Sequence, residues 1–177
     1  MISLERKHIM KKTAIALALL ALGSISFAAH SEEADPILLT ITGKIAKTNS
    51  PDKKAYTFTY KDLVATGQTT IKATTTYTTD TVFKGTLVRN ILKKIGADKD
   101  AKTLTLIGQD GYQVHAPISD FEKWDAVLAD TLDGKRLTLA TKGPLWTMFP
   151  LDAHPKELKN TVIASQLVWN LVALKVE

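Results

Sequence analysis

The spacing of apolar residues changes period several times along the chain. From residue 37, Leu39, Ile41 and Ile45 alternate with Thr40, Thr42 and Lys44. This is the period-2 signature of a strand with one buried face, interrupted by Gly43. Asn49-Ser50-Pro51-Asp52 reads as a turn. Tyr56, Phe58 and Tyr60, alternating with Thr57 and Thr59, make a second strand. Residues 61–65 leave room for one helical turn, stopped by Gly67. Residues 68–79 are dense in threonine, whose β-branched side chain favours extended backbone. A strand there would set Ile71, Ala73, Thr75 and Tyr77 on one face.

Over residues 86–95 the period lengthens. Leu87, Val88, Ile91, Leu92 and Ile95 fall on one side of a helix, Arg89, Lys93 and Lys94 on the other, and Gly96 ends it. Leu104 and Leu106 open another strand, Asp110-Gly111 turns it, and Tyr112, Val114 and Ala116 bring it back. Ser119 and Glu122 have the spacing of a capping box, which predicts a short helix from Asp120. Asp133-Gly134 signals a second hairpin leading into a strand with Leu137 and Leu139. Residues 143–150 are bracketed by Pro144 and Pro150 and are not expected to form a regular central element. Residues 151–159 read as a polar loop and 168–176 as a closing strand. Strands dominate without regular alternation with helices, so the class is α+β, with one domain over 37–177.

The first residues follow a different rule. Arg6, Lys7, Lys11 and Lys12 precede an apolar stretch over 13–22, and Ser26-Phe27-Ala28 supplies small residues at the positions a signal peptidase reads. Residues 1–28 are expected to be a secretory signal peptide cleaved after Ala28, with 29–36 as a linker. Met10-Lys11-Lys12 also looks like a natural start. The apolar stretch is shorter than the ~20 residues needed to cross a bilayer, and nothing downstream is longer. No membrane span is therefore expected after cleavage, and the domain is expected to work outside the cytoplasm. Four basic residues and one acidic residue, Glu5, leave with the signal, so the formal charge of +5 becomes +2. No basic face remains to neutralise a row of phosphates, and no nucleic-acid partner is expected. The chain contains no cysteine. Disulfides and thiolate-based sites are both excluded.

Candidate chemistry is sparse. His30, His115 and His154 are scattered, without metal-ligand spacing. Ser119 and Ser165 lack the context of an activated nucleophile. Of the carboxylates Asp110, Asp120 and Asp125, turn and cap roles account for the first two. No phosphate-binding loop or dinucleotide fingerprint is present. No catalytic residue and no metal ligand is assigned. The aromatic residues Tyr77, Tyr112, Trp124, Trp146 and Phe149 sit at strand ends and in irregular segments, where rings either wall a pocket for a flat ligand or fill a core. Phe149 and Trp169 read as core. Trp146, in a proline-bounded loop, is open between the two roles.

Taken in order, the motifs form a set. A Thr-rich stretch is followed by Phe83-Lys84-Gly85, leading into Leu87-Val88-Arg89-Asn90-Ile91-Leu92 and Gly96-Ala97. Asp110-Gly111-Tyr112, Pro117-Ile118-Ser119-Asp120 and Asp133-Gly134 come next. Lys142-Gly143-Pro144-Leu145-Trp146 and Phe149-Pro150 close the series. This order resembles the molybdopterin-binding domain of the sulfite oxidase family, in particular its small, exported, single-domain members, over nearly all of 37–177. The resemblance implies that family's fold: mixed β-sheets with one main helix and several short ones.

In the catalytic members of the family a cysteine before the Phe-x-Gly-helix element ligates molybdenum. Here that region is Thr74-Thr75-Thr76-Tyr77-Thr78, and a hydroxyl does not replace a soft thiolate. Trp146 stands where larger members often carry an arginine, and a ring there suits stacking on a planar ligand. The resemblance therefore implies a pterin pocket without catalytic cofactor or molybdenum. A reduced pterin would be held by Thr76, Tyr77, Thr78, Arg89, Asp110, Tyr112 and Trp146. Asp110 could pair with an amino-pyrimidine edge or serve only its turn. Arg89 is open to ligand, partner or solvent.

Small proteins of this kind are similar to periplasmic pterin-binding regulators. These act on the periplasmic region of an inner-membrane GGDEF/EAL-type protein, which makes or degrades cyclic di-GMP and so affects biofilm. Two other readings stay open. One is a molybdopterin-dependent oxidoreductase with atypical metal ligation. The other is a ligand-free interaction module whose pocket is filled by side chains.

Overall fold

The computed structural model describes residues 35–177. The expected signal peptide, its cleavage point and most of the linker lie outside the described residues. Two sheets carry the domain. In the first, β1 (Ile37–Gly43) pairs with β2 (Tyr56–Thr59) on one side and lies parallel to β10 (Leu171–Val176) on the other. β10 pairs antiparallel with β5 (Thr103–Gly108), which turns into β6 (Gln113–Pro117), giving the order β2-β1-β10-β5-β6. The second sheet runs β3 (Gln68–Ala73), β4 (Thr81–Leu87), β7 (Val127–Leu132) and β8 (Lys135–Arg136). β9 (Trp146–Met148) pairs with the other half of β7. Five short helices connect the strands: α1 (Tyr60–Ala65), α2 (Val88–Ile95), α3 (Ile118–Lys123), α4 (Pro155–Leu158) and α5 (Thr161–Ser165). The architecture is the α+β arrangement of mixed sheets expected for the sulfite-oxidase-type domain.

The period-2 segments bury the faces their patterns predict. Leu39, Ile41, Phe58, Leu104, Leu106, Leu174 and Val176 are buried, as are Val88, Ile91, Leu92 and Ile95 of α2, and all belong to one core cluster. Each fully buried side chain of this size contributes roughly 1.5–3 kcal/mol by leaving water. Gly96 ends α2 in a left-handed conformation. Asp133 and Gly134 both have positive φ, as a two-residue hairpin turn between β7 and β8 requires.

The structure departs from the sequence pattern at several points, each with a local cause. The Thr-rich strand stops at Ala73 rather than continuing to 79. Beyond it the Thr75 hydroxyl accepts hydrogen bonds from Tyr77 N (3.0 Å) and Thr78 N (3.1 Å), while Thr75 N donates to Thr78 O (2.8 Å). Threonine side chains here compete with a sheet ladder for backbone groups. The helix begins at Val88, not at 86, because Thr86 is still paired with both β3 and β7 and Leu87 with β7.

The Ser119/Glu122 box is not formed. α3 starts at Ile118 behind Pro117, with no side-chain cap. A reciprocal box occurs instead at α1, between Thr59 and Asp62. Leu139 lies in a 3-10 turn (Leu139–Thr141), and β8 is only two residues long. β7 escaped the pattern because Val127 to Thr131 is buried at every position and shows no alternation. The proline-bounded 143–150 segment does contribute a strand, the three-residue β9, but only along one edge of β7. The 151–159 stretch holds α4 and buries Leu151 and Leu158, and the closing strand starts at Leu171.

Candidate functional site

The segment after β3, the β5–β6 turn, β9 and residues 158–170 line one cavity of ≈ 750 Å³. This lies within the usual size range of small-molecule sites. The Thr-rich segment is held in place by side chains. Thr74 Oγ1 donates to Asp152 Oδ2 (3.1 Å) and accepts from Asp80 N (3.1 Å). Asp152 Oδ1 pairs with Lys159 Nζ (2.9 Å), which brings α4 against the same wall. Burial works against the Asp152 charge, but hydrogen bonds from Lys159 and Thr74 outweigh it and hold the carboxyl below the usual range.

On the opposite strands, the β5–β6 turn presents Asp110 and Tyr112. Asp110 Oδ1 accepts from Tyr112 N (3.0 Å), so the carboxylate organises its turn. Its other oxygen has no hydrogen bond among the described residues. Gln109 N donates to Asn170 O (2.9 Å), tying this turn to the start of β10. Asn170 has positive φ (48°), lines the cavity, and keeps a buried Oδ1 without a hydrogen-bond partner. A buried amide oxygen left unpaired is costly, and a ligand donor reaching it would remove that cost.

The floor is Trp146. It is 1% exposed, its indole N–H donates to Leu167 O (3.1 Å), and Phe83 packs edge-on at 5.4 Å. Trp169 and Tyr77 stand higher, 38% and 58% exposed. The two rings are perpendicular with centroids 5.0 Å apart. Trp169 also meets Trp146 edge-on at 6.3 Å.

Five of the residues singled out from sequence, Thr76, Tyr77, Asp110, Tyr112 and Trp146, therefore share one cavity. Two do not. Thr78 is outside its lining, with its hydroxyl on that of Thr75 (3.0 Å). Arg89 lies in the first turn of α2 and pairs with Asp125, at a separate cavity of ≈ 360 Å³ that also includes Trp124 and His154. Because the helix begins at Val88, Arg89 is directed to Asp125, two residues past the end of α3, rather than to Trp146. Trp169 and Asn170 were missed. The reading of Trp169 as core is corrected, because the left-handed Asn170 breaks the strand there and leaves the indole partly exposed on the cavity wall.

Residues 38–159 match the family model described as oxidoreductase molybdopterin binding domain. The chain belongs to this family. Among solved structures, the sulfane dehydrogenase SoxCD from Paracoccus pantotrophus superimposes with a TM-score of 0.56 at 18% identity. The match covers 78% of this chain and 37% of that one, so the chain spans little more than a third of the length of SoxCD. At this identity the likeness is one of fold. No curated protein matches.

The molybdenum cofactor of this family joins a metal to a planar pterin, and the lining residues can be set against each part in turn. The cavity offers hydroxyl, amide, carboxylate and ammonium groups but no sulfur, and the chain contains no cysteine. Among the described residues no three His, Asp or Glu side chains converge as a metal site would require. A metal anchored on a protein thiolate does not fit this donor set. For a planar heterocycle the lining offers partly exposed aromatic rings, an unpaired amide oxygen on Asn170 and a carboxylate oxygen on Asp110. Among the described residues no helix is long and apolar enough to cross a membrane.

Proposed function

We propose that this protein is a non-catalytic pterin-binding protein of the periplasm. In this reading it regulates an inner-membrane enzyme that makes or degrades cyclic di-GMP, and through it biofilm formation. The observation that carries the reading is the open, aromatic-walled cavity in a cysteine-free member of a molybdopterin-binding family. The family supplies the ligand class, and the missing thiolate argues against molybdenum chemistry at the position the catalytic members use. An open cavity between the Thr-rich segment and Trp146 also argues against a pocket filled by its own side chains.

A reduced pterin would enter with its ring against either Trp169 or Tyr77, which are perpendicular, and its edge toward the Trp146 floor. The Asp110 carboxylate suits an amino-pyrimidine edge, whose paired N–H donors match two carboxylate oxygens. The Asn170 amide oxygen offers a second acceptor. Binding through groups already in place needs little rearrangement, as a sensor requires when its output is a change of surface and not a reaction. The regulatory role and the compartment rest on the resemblance to small exported regulators.

The test is gentle purification from the native host, extraction, and fluorescence detection of bound pterin, with molybdenum measured on the same sample. Stoichiometric pterin without metal is expected. Stoichiometric molybdenum would replace the reading with an oxidoreductase. A protein that carries no pterin and binds no added tetrahydropterin would end it.

A further inference from the structure

Residues 74–80 connect β3 to β4, and the stem of this hairpin is fixed. Ala73 and Thr81 are partners in the sheet, 0% and 5% exposed. Beyond the stem the segment folds on itself. Among the described residues, every hydrogen bond made by residues 75–79 stays within 75–81. Thr75 bonds to Tyr77 and Thr78, and Thr79 O accepts from the Thr81 hydroxyl (3.2 Å). A loop whose polar groups are satisfied internally can move as a unit, because its displacement breaks none of those bonds.

Two attachments hold this unit against the rest of the domain. At its base the Thr74 hydroxyl donates to Asp152 Oδ2 (3.1 Å). At its tip the Tyr77 ring meets Trp169 edge-on, and Lys142 Nζ lies 4.0 Å from the centroid of each ring. Lys142 is itself anchored, since its carbonyl accepts from Asn170 N (3.0 Å). Its ammonium joins the two rings from outside, because Lys142 is not part of the cavity lining. Edge-to-face ring pairs and cation–ring contacts at partly exposed sites are weak, each shifting an equilibrium roughly two- to tenfold. At the far end of the segment Asp80 is exposed, with positive φ (46°), and its carboxylate pairs with Lys72 of the same hairpin (3.1 Å).

We propose that residues 75–79 are a flap on the cavity, latched closed by Tyr77 against Trp169 and Lys142, and that the flap swings on residues 74 and 80 to admit a ligand. Thr75, Thr76 and Tyr77 line the cavity, so opening removes one of its walls. Opening also parts the two rings on which a flat ligand would lie. A latch of this strength favours the closed form and still releases without unfolding the domain. A ligand that parts the rings holds the flap away, so occupancy of the cavity is displayed on the surface, where a partner protein can read it. That the cavity takes a ligand rests on the proposed function; that its wall opens rests on the latch.

The chain has no cysteine, so Val168→Cys introduces a single thiol. Val168 lines the cavity and is 4% exposed. The rate of its alkylation by N-ethylmaleimide reads the opening of the cavity with no ligand present. In this parent the rate is compared for Tyr77→Leu, Tyr77→Phe and Lys142→Met, with thermal melts to show that each is folded, and again with tetrahydropterin added. Tyr77→Leu and Lys142→Met should react roughly two- to tenfold faster than the parent. Tyr77→Phe, which keeps the ring, should restore the slow rate. Low concentrations of urea should leave the rises unchanged, because a moving flap exposes little new surface. Tetrahydropterin should slow alkylation throughout. A parent-like rate in either latch variant, or a rise that grows with urea as global unfolding does, overturns the inference; protection by tetrahydropterin would then leave the pterin reading in place. Faster alkylation in both latch variants without protection by tetrahydropterin keeps the flap and overturns the pterin reading. Neither response overturns both.

Discussion

The indole of Trp169 meets the phenol ring of Tyr77 edge-on, centroids 5.0 Å apart, across a gap between two segments 92 positions apart in the chain. Neither ring is deeply buried, so their pairing shapes a cavity wall more than it supports the core. Replacing Trp169 with alanine should therefore separate binding from stability. A stacked ring is worth ~1–3 kcal/mol to a flat ligand, so tetrahydropterin affinity should fall roughly tenfold or more. The folded state should lose only about 1–2 kcal/mol, because part of the ring is already in water. Fluorescence titration beside urea unfolding reads both quantities. A large stability loss with unchanged affinity would make Trp169 a core residue after all.

Trp146 should behave in the opposite way. Its ring is enclosed and its N–H is committed to Leu167 O, so truncation to alanine opens a void. The expected loss is about 3–5 kcal/mol. Trp146→Phe keeps most of the packing but leaves the Leu167 carbonyl unpaired, and should lose about 1–3 kcal/mol. Urea unfolding measures both, and an unchanged m-value would assign the effect to the native state. Trp146→Phe should change ligand affinity less than Trp169→Ala does.

The link from Thr74 through Asp152 to Lys159 predicts an acid response. The Asp152 carboxyl is held below its ordinary value in the folded chain, so the unfolded chain takes up its proton first as pH falls. The stabilisation is therefore fully present above the unfolded value, ~3.9, and is lost as pH drops through the lower folded value. Asp62, in the α1 capping box, is also lowered, chiefly by hydrogen bonds from Thr59, and shares this acid limb. Asp152→Asn should flatten the fall in melting temperature between about pH 4 and pH 2. It should also speed amide exchange in residues 74–80 at neutral pH, where wild type is still anchored. An acid limb as steep as that of wild type would show that Asp152 does not carry this anchor.

Sequence pattern and structure agree where a single period governs. The α2 stripe from Val88 to Ile95 and the inward faces of β1 and β5 could be read directly, because one buried face leaves one periodicity. β7 could not, since burial on both sides erases alternation. The Thr-rich segment misled because β-branching argues for a strand, whereas the hydroxyls of Thr74 and Thr75 capture backbone groups that a strand would use. At the cavity, Trp146 and Tyr77 stood out because tryptophan and tyrosine in irregular segments need an explanation. Trp169 did not, because the pattern puts it inside the closing strand over 168–176, whereas β10 starts only at Leu171, after the positive φ of Asn170.

The glycine of the Phe83-Lys84-Gly85 motif gives the last prediction. A Cβ on Gly85 would lie 2.1 Å from Leu128 O and 2.5 Å from Ala129 Cα. The obstacle is the backbone of β7, which no rotamer change can move aside. The two strands also shift register here, between Lys84 and Gly85. Gly85→Ala should therefore push β4 from β7 and lose at least ~3 kcal/mol, the upper range for overpacking, or fail to accumulate as folded protein. Gly111 provides the control. It has positive φ (84°), but nothing lies within 4 Å of its Cβ position. Gly111→Ala should lose only about 1–2 kcal/mol, the backbone strain alone. Urea unfolding of the two variants side by side checks the contrast. If Gly85→Ala proved no worse than Gly111→Ala, the close approach of β4 and β7 would not be what requires glycine in this motif.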